Sequence, residues 1–258
     1  MKSIITLTTD FGSQDGYVGA IKGVILSINP RAEIVDISHQ IPAHNVLAGA
    51  FCLFNSGNFF PEGTIHVAVV DPGVGEKRKG ILIQTERYSL IGPDNGIFSL
   101  LLRTENVKRI INLANPKYFL GKVSATFHGR DIFAPVAAYL SLGVEPKEFG
   151  PTLPEMARLS LPSIEKRGGR IIGRIIHIDN FGNLVSNVTT DDLAKFNNMR
   201  IRVKNRVIPR LSKTFAEVNK KQLAAYIGSS NFLEIGVREG NARLELRARV
   251  SNKVEISL

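Results

Sequence analysis

Asp71, Arg78 and His128 are the side chains of this 258-residue chain whose types and spacing point most directly to chemistry. An apolar, β-branched run over residues 65–70 stops at Asp71. Pro72-Gly73-Val74-Gly75 then forces a tight turn that delivers Glu76, Lys77, Arg78 and Lys79. A carboxylate closing a buried strand, with a guanidinium across a Gly-rich loop, suits the carboxyl edge of an α/β sheet, where ligands bind. A second polar knot, Phe127-His128-Gly129-Arg130-Asp131, supplies an imidazole. Together these groups can hold and deprotonate a water. Taken singly, each has a plainer reading: Asp71 as the residue that starts a Pro-Gly turn, Arg78 as a solvated loop cation, His128 as a structural histidine.

Other polar turns close the remaining strands. Asp10 ends the first one, in Leu7-Thr8-Thr9-Asp10-Phe11-Gly12, and Asp15 follows one loop later. Asp15 could cap the next helix or touch a ligand; Asp10 is too far from that helix to cap it. Gly92-Pro93-Asp94-Asn95-Gly96 reads first as a turn and brings Asn95 to the same predicted edge. Later in the chain, Ile178-Asp179-Asn180-Phe181-Gly182-Asn183 is a dense polar turn. Phe215 is either a core ring or a stacking surface. Gly228-Ser229-Ser230-Asn231 offers hydroxyls and amides to a carboxylate or amine, or only to its own turn. There is no Walker A, no G-x-G-x-x-G after the first strand, no H-E-x-x-H and no G-x-S-x-G. His39 and His44 have no third ligand near them in sequence, so no metal site is expected.

The elements that must position these groups alternate through the first part of the chain. Strands are expected at residues 3–9, 33–38, 65–70 and 107–112, with a hairpin of 80–85 and 88–92 around Glu86-Arg87. Helices are expected at 18–28, at 46–55 behind an Asn45 N-cap, and at 131–142 with Pro135 in the first turn. This pattern predicts an N-terminal α/β, Rossmann-like domain (residues 1–155) with a mostly parallel sheet. Three prolines and Glu165-Lys166-Arg167-Gly168-Gly169 then suggest a linker over residues 156–169. From 170 to 258 short β-type runs dominate: 170–178, 184–188, 200–204, 206–210, 224–227, 232–235 and 247–256. They predict a smaller, mainly β domain of barrel or sandwich type.

The net charge of +10 raises the question of nucleic acid. Residues 171–258 hold 15 Lys and Arg against 8 Asp and Glu, and Arg200, Arg202, Lys204 and Arg206 alternate with other residues. That spacing is a strand with one solvated basic face, and no nucleic-acid-binding motif accompanies it; nucleic acid is not expected as a partner. No apolar run reaches the roughly 18 residues of a membrane helix. Asp10 comes too early for a signal peptide. The single cysteine, Cys52, lies in an apolar helix and reads as a buried thiol. A cytoplasmic protein with no membrane partner is expected.

The motifs TLTTDFG (residues 6–12), VDPGVG (70–75), Arg78, GPDNG (92–96), FHGRD (127–131), IDNFGN (178–183) and GSSNFLEIGVREGNA (228–242) span nearly the whole chain. In this order they resemble the S-adenosyl-L-methionine (SAM) hydroxide adenosyltransferase family, whose relatives include the fluorinase and chlorinase. The resemblance implies that Asp71, Arg78 and His128 position and activate water. Asp71 stands where the halogenating relatives carry tyrosine, which favours hydrolysis of SAM to adenosine and L-methionine. It further implies Asp10 at the ribose hydroxyls, and Asp15, Asp179 and Ser229 at the methionine part. Asn183, Phe215 and the Val237 backbone would frame adenine. Asn95 and Ser230 are further implied substrate contacts, Ser230 standing where the halogenases have arginine. SAM would be the substrate with no cofactor, and the protein a homotrimer with its sites at subunit interfaces. A SAM-dependent halogenase and a non-catalytic adenosine- or SAM-binding protein are the alternatives.

Overall fold

The computed structural model describes residues 3–194, 196 and 198–258, and divides into two compact units, Met1–Leu159 and Ser160–Leu258. In the first unit, β1 (Ile4–Thr9), α1 (Tyr17–Ile28), β2 (Glu33–Ser38), α2 (Val46–Gly57) and β3 (Ile65–Val69) alternate. They are followed by β4 (Gly80–Thr85), β5 (Ser89–Pro93), β6 (Val107–Asn112), α3 (Ala134–Ser141) and β7 (Thr152–Leu153). The strands form one sheet in the order β2-β1-β3-β5-β4-β6-β7.

β3 shows why this sheet folds as it does. Every residue of Ile65–Val69 is buried, and successive side chains point to opposite faces. Ile65, Val67 and Val69 join a core with Ile21, Ile25, Phe133 and Val136 of the α1 and α3 side. Ala68 and Val70 join a second core with Ala48 and Leu53 of α2. A strand covered on both faces reads as a continuous apolar run, which is what residues 65–70 display. His66 is the polar exception. Its Nδ1 lies 2.7 Å from Thr6 Oγ1, its ring sits edge-on to Phe60 and Tyr88, and burial lowers its pKa to about 4.

The expectation of a mostly parallel sheet needs correction. β1–β2, β1–β3 and β3–β5 run parallel, but β5–β4, β4–β6 and β6–β7 are antiparallel. The β4–β5 hairpin is the cause, because it returns the chain as β5 beside β4 without a crossover helix. The sheet is mixed.

The second unit holds β8 (Glu165–Arg167), β9 (Arg170–Ile178), β10 (Leu184–Thr189), a short α4 (Thr190–Leu193), β11 (Arg200–Val203) and β12 (Arg206–Ile208). β13 (Leu223–Ile227), β14 (Phe232–Val237), α5 (Ala242–Leu246) and β15 (Lys253–Ser257) complete it. Its strands pair antiparallel in the order β12-β11-β15-β9-β10-β14-β13, with β8 on β9. A bridge from Leu211 to Ala225 brings the two ends of that order together, so the sheet is nearly closed and barrel-like. Ile175, Leu184, Ile201, Leu233, Ile235 and Val254 fill it.

Three local expectations differ from the structure. Residues 247–256 do not form one strand: Asn241 caps α5 through Leu244 N, Arg247 ends it with φ 46°, and β15 begins only at Lys253. The run 206–210 stops at Ile208, before Pro209, which has no N–H for a ladder. Within the stretch read as linker, Glu165–Arg167 pairs with β9 across Gly168-Gly169.

Candidate active site

α1 carries the chain from β1 to β2 on one side, and α2 brings it back to β3 on the other side of β1. Such a reversal opens a crevice beyond the carboxyl ends of the two diverging strands. Asp10, just after β1, and Asp71, two residues past β3, stand there. Both line a cavity of about 280 Å³ with Phe11, Tyr17, His44, Phe127 and His128.

The Asp71 carboxylate is nearly buried, its side chain 6 % exposed. Arg78 reaches it with both arms of its fork: Nε donates to Oδ1 at 2.9 Å and Nη2 donates to Oδ2. Bidentate pairing of this kind fixes the plane as well as the position of a carboxylate. The same Nη2 lies 2.8 Å from Nδ1 of His128. A guanidinium has no lone pair to give, so Nδ1 accepts, and the proton of the neutral ring sits on Nε2. Burial, then the charge of Arg78, lowers the His128 pKa, which keeps that ring neutral. Arg78 also lies over the ring of the fully buried Phe133, 5.5 Å from its centroid.

Three local devices hold these groups. Asn95 Nδ2 donates to Val70 O at 2.8 Å, tying the turn after β5 to the residue before Asp71. Gly75, at φ 81°, lets the 71–78 loop lie on the Ala125 carbonyl; a Cβ there would stand 2.6 Å from that oxygen. His128 opens a π-helical turn, Gly129–Phe133, that runs into α3, so the helix expected from Asp131 begins earlier. Inside that turn, buried Asp131 accepts from Ser124 N at 2.8 Å, Ser124 Oγ at 2.7 Å and Arg130 Nε at 2.6 Å. These bonds hold its carboxyl below the usual range against the opposing effect of burial.

The second unit has a cleft of about 680 Å³ at the ends of β9, β13 and β14. Asp179, Asn183, Phe215, Ser229 and Val237 line it, with Phe181, Tyr226 and Glu234. Asp179 receives Asn183 N on Oδ1 and Asn183 Nδ2 on Oδ2, both at 2.8 Å, so the turn chemistry anticipated for this segment is real. Gly236 makes the wall: a Cβ on it would fall 2.5 Å from Asn183 Oδ1 and 2.7 Å from the Phe215 ring. Phe215 rests on Tyr226, ring centroids 4.5 Å apart.

The SAM hydroxide adenosyltransferase N-terminal domain matches residues 5–150, and the C-terminal domain of the same family matches residues 173–255. The chain belongs to the SAM hydroxide adenosyltransferase family. It is 39% identical to a protein of Methanocaldococcus jannaschii named (R)-S-adenosyl-L-methionine hydrolase, over 98% of this chain and 95% of that one. A fluorinase of Actinoplanes sp. is 28% identical over 74% of each chain. The crystal structure of an uncharacterized conserved protein from Thermotoga maritima superposes with a TM-score of 0.90 at 35% identity, covering 99% of this chain and 100% of that one.

Within this family member, the structure gathers Asp10, Asp71 and His128 around the first cavity, with Arg78 bonded to the last two. Asp10 Oδ2 accepts from His44 N at 2.9 Å. Asp15 is exposed and leaves the N-cap of α1 to Gly16, and Asn95 acts on the backbone behind Asp71. Ser230 follows Ser229 in the turn before β14. The sequence reading passed over Tyr17, whose ring meets Phe11 and Phe127 edge-on or tilted at 5.2–6.0 Å between centroids. It also passed over Tyr226 and Glu234. A single carboxylate inside the apolar strand Phe232–Val237 was the available signal for the latter. Cys52 is half-buried on α2 and packs against the core there; burial raises its thiol pKa.

Proposed function

We propose that this protein hydrolyses S-adenosyl-L-methionine to adenosine and L-methionine, the (R)-sulfonium epimer being the preferred substrate. The observation that carries the reading is the Asp71 carboxylate, clamped by Arg78, with the neutral His128 on the same guanidinium. Water attacks C5′ in line with the C5′–S bond, and methionine leaves as a neutral thioether that needs no general acid. Asp71 accepts a proton from the water, His128 orients it through Nε2–H, and Arg78 fixes Asp71 and favours hydroxide character. Attack of hydroxide-like oxygen on a sulfonium neutralises charge, so a pocket poor in water helps by replacing hydration with fixed dipoles. The chemistry calls for no cofactor, SAM itself being the substrate.

In this reading Asp10 binds the ribose hydroxyls. Asn183, Phe215 and the Val237 backbone frame adenine, and Asp15, Asp179 and Ser229 hold the methionine part, with Asn95 and Ser230 as supporting residues. Residues 1–155 are the catalytic domain and 170–258 the base-binding one. The protein works as a cytoplasmic homotrimer with its sites at subunit interfaces, to be checked by light scattering. In support of a location away from membranes, no helix among the described residues is long and apolar enough to cross one.

The deciding experiment incubates purified protein with each SAM epimer, with and without chloride, and identifies the nucleoside by mass spectrometry. Adenosine, released irrespective of chloride and lost in Asp71→Ala, is the expected result. 5′-Chloro-5′-deoxyadenosine would make the protein a halogenase, and tight binding without turnover would make it a sensor.

A further inference from the structure

Glu234 is the charged residue in the middle of β14, on a strand otherwise buried and apolar. It stands opposite Tyr226 of β13 and Val185 of β10. Its carboxyl hydrogen-bonds the Tyr226 hydroxyl and lies against Gly228, where a Cβ would collide with it. It therefore sits directly beneath the Gly228-Ser229 turn, and it lines the same cleft as Ser229 and Asp179. The groups around it in the cleft are Tyr226 from β13, Asp179 just past β9, and Arg238 and Glu239 beyond β14, with His177 of β9 in register one strand further on, across Val185. Arg238 turns away, donating to Val218 O at 2.8 Å, and Lys221 is bonded to Glu239 O. The bonds to Asp179 come from Asn183, and Glu234 takes the Tyr226 hydroxyl.

A cleft that places two carboxyls beside a hydroxyl-rich turn is built for a compact cation with several N–H donors. On the reading that Asp179 and Ser229 hold the amino-acid end of SAM, that cation is the α-ammonium. We propose that Glu234 is a further substrate-positioning residue, which joins Asp179 in holding the α-ammonium and passes its own proton to solvent as that group docks. No bond to carbon changes; one carboxylic O–H is exchanged for a carboxylate–ammonium contact, and one proton goes to the buffer. Burial first, then the Asp179 charge, pushes the carboxyl up in the free protein. The incoming ammonium pulls it back down. Binding of a ligand with the amino-acid tail therefore tightens as pH rises toward the free-protein pKa and levels off above it. A ligand without the tail shows no such dependence.

The test is isothermal titration calorimetry of the full chain with two non-cleavable probes. S-adenosylhomocysteine carries the amino-acid tail, and 5′-methylthioadenosine lacks it. Each is titrated at a series of pH values from 4.5 upward, in two buffers of different ionisation enthalpy at each, with wild type and Glu234→Gln. Wild type should release a proton with the first probe at the acidic end of the series, fading as pH rises, and none with the second. Glu234→Gln should abolish that release and weaken the first probe about tenfold, the size expected for one charge-assisted contact, while leaving the second unchanged. Wild type that releases no proton with S-adenosylhomocysteine at any pH of the series overturns the proposal, whatever the variant does. So does equal affinity of the variant, or equal weakening of both probes, which would mark Glu234 as merely structural. If wild type binds methylthioadenosine but not S-adenosylhomocysteine, the amino-acid assignment fails while the nucleoside reading stands. If it binds neither, the SAM reading itself falls and this proposal with it.

Discussion

Protonating His128 would set an N–H of the imidazolium against the Nη2–H of Arg78, two donors where the geometry needs one acceptor. In the proposed mechanism the working form therefore carries a neutral ring, and its lowered pKa extends that form to the acid side of the ordinary histidine value. Hydrolysis should hold as pH falls through 6.5 and decline only below it, as His128 takes up its proton. A profile of kcat/KM against pH checks this, and a fall centred above 6.5 would contradict it. The Asp71 clamp gives a second expectation. Lysine cannot reproduce a two-armed fork, so Arg78→Lys keeps the positive charge but loses the fixed carboxylate plane. Its kcat should drop about 10²-fold, the lower range for losing a positioned acid–base partner, with the fold unchanged by circular dichroism.

At the scale of elements, the cleft wall proposed to frame adenine depends on the absence of a side chain at Gly236 of β14. Gly236→Ala should push Asn183 and Phe215 apart, raising KM for SAM with little change in kcat; steady-state kinetics separates the two. Parts of this architecture were legible in the sequence for physical reasons. Residues 65–70 are apolar at every position but His66 because β3 is covered on both faces, and Asn45 caps α2 through Ala48 N as its side chain suggests. Asp71, Arg78 and His128 could be picked out because turns at strand ends leave short polar signatures. The mixed sheet was harder to foresee, since a hairpin signal does not say which neighbour the second strand will join. Residues 247–256 misled because the capping of α5 by Asn241 and the left-handed Arg247 depend on contacts that alternation does not encode. Tyr226 looks unremarkable in sequence, as its meaning lies in facing Glu234 on the neighbouring strand.

For the whole molecule, the two compact units differ in how they could stand alone. The second encloses Ile175, Leu184, Ile201, Leu233 and Val254 within its own nearly closed sheet. A fragment of residues 160–258 should therefore fold by itself, giving dispersed amide resonances and a cooperative melt; a molten fragment would refute this. In the first unit, His66 gives β3 an acid limit. The unfolded chain protonates this ring near 6.5, whereas the folded one resists until about 4. Between those values the unfolded state binds the extra proton, so acid draws stability from the fold, on the order of 3 kcal/mol in all from this one group. The thermal midpoint should fall across that window. The strand that presents Asp71 thus also carries an acid fuse: as pH falls from 6.5 toward 4, the support beneath that carboxylate weakens.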